Sequence, residues 1–316
     1  MIYTVTLNPT LDKTYSVPVL QPGNLHRMRP LSRDLSGKGV NVSRALRGLG
    51  IDSHILLLIA GPTGELFRQS LSAQGFVVHT VEALGDTRQN ITLLDESSGI
   101  YTKLNEPGPQ CGAEQVGKLL DTTRQLARPG DWWTLSGSLP PGAPPDLYAC
   151  LIEIIQGAGG RACLDADGDA LRLGLAARPF AAKPNSEESA ELLGIPLIDD
   201  VDHACAARHI QHMGPRLVMI TRGAQGLVLA MDEALCLAVH PPVPAYSPFG
   251  AGDSALAGLI WGLMEGGDIY QGAAHAVACA TAAVQLEGTN FADKAHIEQI
   301  VEHVIVTPIS DALSAG

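Results

Sequence analysis

The chain has 316 residues, of which 46% are hydrophobic and 17% are charged. This composition supports a sizeable core in one large domain, with room for a small appendage. The formal net charge of −12 argues against nucleic acid or an anionic membrane surface as a partner. An anionic small substrate remains compatible with it, provided that a local basic cluster binds the anion.

The cysteines and the start of the chain bear on the cellular compartment. The six cysteines form no C-x-x-C pair, and their spacing matches neither a zinc site nor a disulfide framework. We therefore expect free thiols in a reducing cytoplasm. The opening residues lack the pattern of a secretory signal, and aliphatic runs such as 55–60 are too short to span a bilayer.

The first third of the chain predicts strands, helices and a hairpin. Strands are expected at 2–7, 14–19, 55–60 and 77–81, with a helix that Gly50 closes and a second helix at 65–74 after a turn at 61–64. Two stretches of mixed polarity, 87–94 and 100–105, predict a β-hairpin. We expect residues 12–35 and 86–106 to form a small β-sheet, the lid, on a larger α/β body.

From residue 113 onward the predicted strands and helices alternate. Helices are expected at 113–126, 145–156, 186–193, 203–213, 270–286 and 294–304, and strands at 132–136, 161–165, 179–183 and 217–221. This order predicts an α/β fold with a mostly parallel central sheet covered by helices on both faces. Loops after the strands then gather at one edge, where we expect Ser138, Asp165, Asn185, Gly223 and Asp253 to meet.

The segment Ser247–Gly258 combines two glycines, an aspartate and an apolar run at helical spacing. A helix is therefore expected to start near Asp253. Glycines at a helix start leave backbone N–H groups open, and these groups and the helix dipole form an anion site. Because an aspartate repels an anion, its better role is to take a proton from a hydroxyl that attacks the bound anion, as in phosphoryl transfer.

Other interpretations of these signals stay open at the level of the residues alone. Residues 250–255 also fit a loose G-x-G-x-x-A dinucleotide pattern, which belongs in the first strand–helix unit of a chain, or a helix cap without chemistry. Lys38 lies between two glycines and Arg88 begins the hairpin. Either side chain could bind an anion or simply be a solvated surface charge, and the lysine is not part of a P-loop pattern.

Seven segments, in order along nearly the whole chain, resemble the ribokinase/PfkB family of sugar kinases. They are 6–12, 37–42, 87–90, 105–109, 135–142, 183–188 and 250–254. Gly37-Lys38-Gly39 and Asn105-Glu106-Pro107-Gly108-Pro109 are most similar to the hexose-phosphate kinase branch of the family. The resemblance implies a ribokinase-like fold and an ATP- and Mg2+-dependent kinase of a ketohexose phosphate. D-fructose 1-phosphate is the expected acceptor, with tagatose 6-phosphate and fructose 6-phosphate as close alternatives.

The same resemblance implies roles for individual residues. Asp253 would be the general base, and Gly250, Ala251 and Gly252 would supply N–H groups to the transferred phosphoryl group. The residues expected to bind the sugar phosphate are Asp12, Arg27, Gly37, Lys38, Asn41, Arg88 and Ser138. The residues expected around ATP are Lys183, Asn185, Thr221, Gly223 and Gly226, and Glu188 would hold Mg2+ through water.

The sequence departs from the family pattern at a few positions. Pro248 and Phe249 stand where the family usually has a threonine and a small aliphatic residue, and Arg222 replaces a common apolar residue. The altered loop motivates a second hypothesis of another class, a sugar-phosphate-binding protein without turnover. The open face of the lid could also cover the lid of a second copy, so a homodimer is expected.

Overall fold

The structure, a computed structural model, describes residues 1–247, 249–286 and 291–309. Ten strands form one large sheet: β1 (Ile2–Thr6), β4 (His54–Ile59), β5 (Val77–Glu82), β8 (Trp132–Ser136), β9 (Arg161–Asp165), β10 (Ala181–Ala182), β11 (Leu217–Thr221), β12 (Leu227–Met231), β13 (Ala234–Val239) and β14 (Ile305–Pro308). Four more form a separate sheet: β2 (Thr10–Val17), β3 (Arg29–Ser36), β6 (Gln89–Asp95) and β7 (Ile100–Asn105).

The helices lie between the strands in the order expected of an α/β protein. They are α1 (Lys38–Gly48), α2 (Gly61–Ala73), α3 (Ala113–Leu126), α4 (Leu147–Gly157), α5 (Gly168–Ala176), α6 (Ser186–Leu193), α7 (Asp200–His212), α8 (Ala251–Met264), α9 (Ile269–Val284) and α10 (Lys294–Val301). Within the described ranges, no helix is long and apolar enough to cross a lipid bilayer.

The large sheet is parallel from β11 to β5 and antiparallel at its other end. The strand order is β14-β13-β12-β11-β10-β9-β8-β1-β4-β5. Parallel pairing runs through β11, β10, β9, β8, β1, β4 and β5, whereas β12, β13 and β14 add antiparallel strands. The carboxyl ends of seven strands therefore lie at one edge, where a ligand site is expected.

Both faces of the large sheet are buried. In β11, Val218 and Ile220 join a core cluster that also contains residues of α3, α4, α5 and α7. Leu217 and Met219 point the other way, into a cluster with residues of α1, α8 and α9. Because successive side chains of a strand face opposite sides, helices must cover both surfaces. The predicted fold class, a mostly parallel sheet between helical layers with a small β-sheet lid, is confirmed.

The four-stranded sheet, which forms the lid, has one mainly polar and one mainly apolar face. β2 pairs in parallel with β6 and antiparallel with β3, and β7 pairs antiparallel with β6. Cross-strand partners share a face, and Asp12 is paired with Asn90. The side chains one position along face the opposite side. That opposite face carries Tyr15, Ile91, Leu93, Ile100 and Leu104, together with the polar side chains of Lys13, Gln89, Asp95 and Thr102.

Some local predictions were wrong. The turn expected at 61–64 is the first turn of α2, where Pro62 fits because the first N–H groups of a helix have no intrahelical partner. The strand expected at 179–183 is reduced to Ala181–Ala182. The prediction also lacked α5 (Gly168–Ala176) and the antiparallel strands β13 and β14. The altered Pro248 lies outside the described residues.

Candidate active site

The carboxyl edge of the parallel sheet brings together polar residues from separate strands. Asp165 is the last residue of β9, and Thr221 is the last residue of β11. Lys183 follows β10 directly, and Asn185, two residues later, forms an isolated bridge with Thr221. Ser138 follows β8 by two residues. The loops after neighbouring parallel strands thus build one site, as the alternation of elements predicted.

The start of α8 presents open backbone N–H groups. Gly250 precedes the helix in the left-handed conformation, with φ of 76°, and provides no side-chain cap. A residue with a Cβ is strained there, so glycine is needed to turn the chain into the helix. The first N–H groups of α8 have no partner inside the helix and carry the positive end of its dipole. Lys183 adds charge at the same place, since its Nζ lies 3.5 Å from the point that a Cβ of Gly252 would occupy.

Asp253 is the third residue of α8 and is only 7% exposed. Its Oδ2 accepts a hydrogen bond of 2.8 Å from Asn41 Nδ2, which fixes the carboxyl group against α1. Burial, reinforced by the negative charge of Asp165, raises the pKa of the Asp253 carboxyl to about 6. A carboxyl group with this pKa is ionised at neutral pH and accepts a proton more readily than an ordinary aspartate.

Asp165 is fully buried between two lysines. Lys38 Nζ lies 2.8 Å from its Oδ1, and Lys183 Nζ lies 3.1 Å from its Oδ2. Burial alone would raise the pKa of the Asp165 carboxyl, but Lys183 and Lys38 together hold this pKa below its ordinary value. Asp165 therefore stays ionised, and it organises both cations of the site.

Glu188 and Asn185 form a reciprocal cap at the start of α6. Asn185 Oδ1 accepts a hydrogen bond of 2.8 Å from the Glu188 N–H, and Glu188 Oε2 accepts one of 2.8 Å from the Asn185 N–H. The other oxygen, Glu188 Oε1, lies 3.9 Å from Lys38 Nζ. The N-x-x-E spacing is thus explained locally by a capping box, which leaves one carboxylate oxygen turned toward the site.

Asp165 and Glu188 fit a magnesium ion that keeps most of its water. Magnesium is usually bound by one or two carboxylates together with waters and substrate phosphates. Both carboxylates contact the same Lys38 Nζ, so they lie close to each other. Over the residues that the structure describes, no group of three or more His, Cys, Asp or Glu side chains could hold a metal. An ion here would therefore take most of its ligands from water, with nucleotide phosphates replacing some of them when a nucleotide is bound.

The predicted sugar-binding residues Asp12 and Arg88 lie at the polar face of the lid. Asp12 Oδ1 accepts hydrogen bonds from Asn90 Nδ2 at 3.0 Å and Thr10 Oγ1 at 3.2 Å. Arg88 Nε donates to the Asn8 carbonyl at 3.2 Å. Burial raises the pKa of the Asp12 carboxyl and lowers that of the Arg88 guanidinium, with the attraction between the two charges opposing both shifts. The cluster therefore holds opposite charges in a partly desolvated place.

Two amides beside predicted sugar-binding groups keep an unpaired oxygen. Asn41 donates its Nδ2 to Asp253 and Asn90 donates its Nδ2 to Asp12. The Oδ1 atom of each amide is buried without a hydrogen-bond partner. Buried acceptors without a partner are costly, so a ligand that offers hydroxyl donors would be favoured at these positions.

The remaining predicted residues are less closely tied to this cluster. Ser138 Oγ accepts a hydrogen bond of 3.4 Å from Asn8 Nδ2. Arg27 is exposed in the connection between β2 and β3. Gly37 packs against β1, where a Cβ would come within 2.8 Å of Thr6 Cγ2. Gly223 is exposed with φ of 57°, and Gly226 packs on the Ala238 carbonyl, so both glycines are also explained by the local turn.

Sequence reasoning assigned no role to several residues that the structure brings to the site. Asp165 was expected only to reach this edge of the sheet, and Asn8 and Asn90 lay inside family segments without a role. Lys103 was also missed: its Nζ lies 4.8 Å from the centre of the Phe249 ring, joining the lid to the loop before α8. The signal for Asp165 was available, because a carboxylate that ends a buried strand reaches this edge.

Fold and site together are those of a phosphotransferase that acts on an alcohol group. The profile of the pfkB family carbohydrate kinases matches residues 5–296, and the chain belongs to that family. It is 36% identical over 278 residues to a 1-phosphofructokinase of Rhodobacter capsulatus, with 88% of each chain covered. It is 32% identical over 307 residues to the ATP-dependent 6-phosphofructokinase isozyme 2 of Escherichia coli, covering 96% of this chain and 98% of that one. Its fold matches the tetrameric inhibited form of phosphofructokinase-2 from Escherichia coli with a TM-score of 0.87 at 30% identity, covering 95% and 98% of the two chains.

Proposed function

We propose that the protein transfers the γ-phosphoryl group of ATP to the 6-hydroxyl of D-fructose 1-phosphate, giving fructose 1,6-bisphosphate. The observation that carries this proposal is the buried Asp253 carboxyl in the first turn of α8, beside open backbone N–H groups. Relatives named 1-phosphofructokinase, at 36% identity in one case, support the choice of acceptor.

Asp253 acts as the general base in this reaction. It accepts the hydroxyl proton as the sugar oxygen attacks phosphorus, and its pKa of about 6 suits it to hold that proton transiently near neutral pH. The N–H groups of Gly250, Ala251 and Gly252 and the ammonium of Lys183 stabilise the negative charge on the phosphoryl oxygens. Asn41 keeps the carboxyl in place through its hydrogen bond of 2.8 Å.

The sugar phosphate lies between the lid and the start of α1. Asp12, Asn41 and Asn90 offer acceptors to the sugar hydroxyls, with Gly37 and Ser138 beside the ring. Arg88 holds the phosphate already on the sugar, because a guanidinium offers a planar fork to phosphate oxygens. Arg27 reaches that phosphate from the connection in the lid, and Lys38 contributes a further positive charge.

The nucleotide binds along the loops after β10 and β11. Lys183 and Asn185 lie by its phosphates, and Thr221, Gly223 and Gly226 line the turn beside it. Glu188 and Asp165 would hold Mg2+ largely through water. When bound, the ion neutralises charge on the β- and γ-phosphates.

Two alternative acceptors and one alternative class remain. Tagatose 6-phosphate and fructose 6-phosphate also place a phosphate and a free primary hydroxyl at opposite ends of a similar ring, and one relative is named a 6-phosphofructokinase. A sugar-phosphate-binding protein without turnover is motivated by the altered pair Pro248-Phe249 in the sequence before α8. Burial of Asp253 with a raised pKa favours the kinase, because a binding protein has no use for a base there.

The test is ADP release over a panel of sugar phosphates with the natural chain and Asp253→Asn. We expect the highest kcat/KM with fructose 1-phosphate, and a fall in kcat of at least about 10²-fold in the variant, the usual scale for loss of a general base. Binding of ATP should change little. Tight sugar-phosphate binding with no ADP release from the natural chain would favour the binding protein instead.

We also place the protein in the cytoplasm as a homodimer that buries the apolar lid face. That face exposes 63% of Ile100 and 54% of Leu104. Exposed apolar side chains grouped on one surface are typical of a protein interface. The solved relative that forms a tetramer supports self-association in this family.

A further inference from the structure

The ammonium group of Lys38 lies between the carboxylates of Asp165 and Glu188, the two residues proposed to hold Mg2+. Its Nζ lies 2.8 Å from Asp165 Oδ1 and 3.9 Å from Glu188 Oε1. The Asp165 side chain is fully buried and Glu188 is 15% exposed, whereas Lys38 is 36% exposed. The ammonium group therefore covers both carboxylates from the more open side of the site.

The backbone position of Lys38 is fixed by close packing. It is the first residue of α1, and a Cβ at Gly37 or at Gly39 would come within 2.8 Å of atoms of Thr6. The start of α1 is thus held against the end of β1. The flexible part is the four-carbon stem of the lysine, which can move its charge over several ångströms without a change in the backbone.

Lys38 and a divalent cation need the same oxygens. Asp165 Oδ2 lies 3.1 Å from Lys183 Nζ, and Glu188 Oε2 accepts the Asn185 N–H. A metal held between the two carboxylates on the side of Lys38 would bind Asp165 Oδ1 and Glu188 Oε1, and these are the two atoms that Lys38 contacts. An ammonium and a divalent cation repel each other at such distances, so both cannot stay there.

We propose that Lys38 is an internal counter-ion that a divalent cation displaces, and that the displaced ammonium then binds the phosphate of the sugar. Lys38 is thereby a positioning residue that couples the metal to the acceptor: entry of the cation releases the charge that the sugar phosphate needs. The inference rests on the proposed function for the identity of the acceptor. The inference goes beyond the proposed function because it predicts that the cation and the sugar phosphate strengthen each other's binding in the absence of nucleotide.

The first arm of the test measures Mn2+ binding to the nucleotide-free full chain by electron paramagnetic resonance. We expect Lys38→Met and Lys38→Gln to bind Mn2+ about tenfold or more tightly, because a unit charge about 4 Å from the site is removed. Lys38→Arg should keep the natural affinity. Lys118→Met is the matched control, since Lys118 pairs with Glu114 on the exposed surface of α3 at 2.7 Å. Unchanged Mn2+ affinity in both neutral variants, with natural circular dichroism, would overturn the proposal.

The second arm measures binding of fructose 1-phosphate by calorimetry, with and without Mn2+ and without ATP. In the natural chain we expect Mn2+ to tighten this binding several-fold, and in Lys38→Met we expect no such effect. Equal coupling in the two proteins would contradict the release of Lys38. Neither arm depends on turnover, so a protein that binds as predicted but releases no ADP would disprove the kinase and leave this inference standing.

Discussion

The burial of Asp253 favours catalysis but lowers the stability of the folded protein. Burial in the first turn of α8 raises its pKa from 3.8 to about 6, which suits a base but disfavours the charged form in the folded protein. Between these two values the folded state binds more protons than the unfolded state. Stability contributed by this group is therefore full at low pH and declines as the pH rises toward 6.

We predict that Asp253→Asn stabilises the protein in a pH-dependent way. The shift of about 2 pKa units corresponds to roughly 3 kcal/mol, which the charged aspartate costs above pH 6 and the neutral amide does not. The free energy of unfolding in urea should therefore be higher in the variant by up to this amount at pH 8. At pH 4 the two proteins should be nearly equal. A variant less stable than the natural chain at pH 8 would show that the carboxylate is not strained by burial.

Residue chemistry was predictable from the sequence only in part. Glycines before an aspartate at a helix start indicated the open N–H groups and the base, because that depends on local backbone geometry. The partners of Lys38 were not visible, since Asp165 lies 127 positions further along the chain. Sequence reasoning counted Lys38 as a charge in need of a substrate anion, and the structure supplies a carboxylate for it. The case for a phosphorylated acceptor thus depends more on Arg88.

At the scale of elements, the strand and helix pattern was clear where periodicity was strong. Ala113–Leu126, Trp132–Ser136 and Ser186–Leu193 occur with the predicted bounds. The short β10 and the missed β14 are set by pairing with neighbouring strands, which a local pattern does not contain. The missed α5 follows Asp167-Gly168, residues that alone suggest a turn.

The contact between Lys103 of β7 and the Phe249 ring is an element-level link between the lid and the loop before α8. Phe249 is 53% exposed, so the contact is worth about 0.5–1 kcal/mol. We predict that Phe249→Leu and Lys103→Met each lower kcat/KM for the sugar phosphate by about two- to fivefold, which is that energy expressed as a rate. The double variant should lose no more than either single one, whereas Phe249→Tyr should keep the natural value.

The matched control uses a second cation–aromatic contact, between α10 and the third turn of α8, that does not involve the lid. Lys294 Nζ lies 5.1 Å from the centre of the Trp261 ring, and Lys294→Met should leave kcat/KM unchanged. Strictly additive losses in the Phe249 and Lys103 variants would show that these two side chains do not act together.

At the scale of the whole molecule, the two faces of the lid differ in composition, and we propose a different function for each. Its strands alternate between polar side chains that include Asp12 and Asn90 and apolar ones that include Leu93 and Leu104. The sequence predicted this sheet because its strands mix both types of residue. The sequence could not give the strand order β3-β2-β6-β7, because β3, α1, β4, α2 and β5 lie between β2 and β6 in the chain.

We predict that Leu104→Asp and Ile100→Asp convert the proposed dimer to a monomer, because each would place a charge in the interface that we propose at this face of the lid. Analytical ultracentrifugation over a range of concentrations would measure this. Ile198→Asp is the control, since Ile198 is 79% exposed between α6 and α7, away from the lid. Loss of the dimer in the control as well, or a dimer that persists in both lid variants, would place the interface elsewhere.

The packing of α8 on α9 determines which part of the molecule is able to move during a catalytic cycle. A Cβ at Gly258 would collide with the backbone carbonyl of His275, and one at Gly262 would come within 3.0 Å of Gly272 Cα, so the two helices touch main chain to main chain. Helices in such contact cannot slide or rotate without losing it. Asp253, in the first turn of α8, is consequently held in a fixed position. Any movement that encloses the reactants must therefore come from the lid.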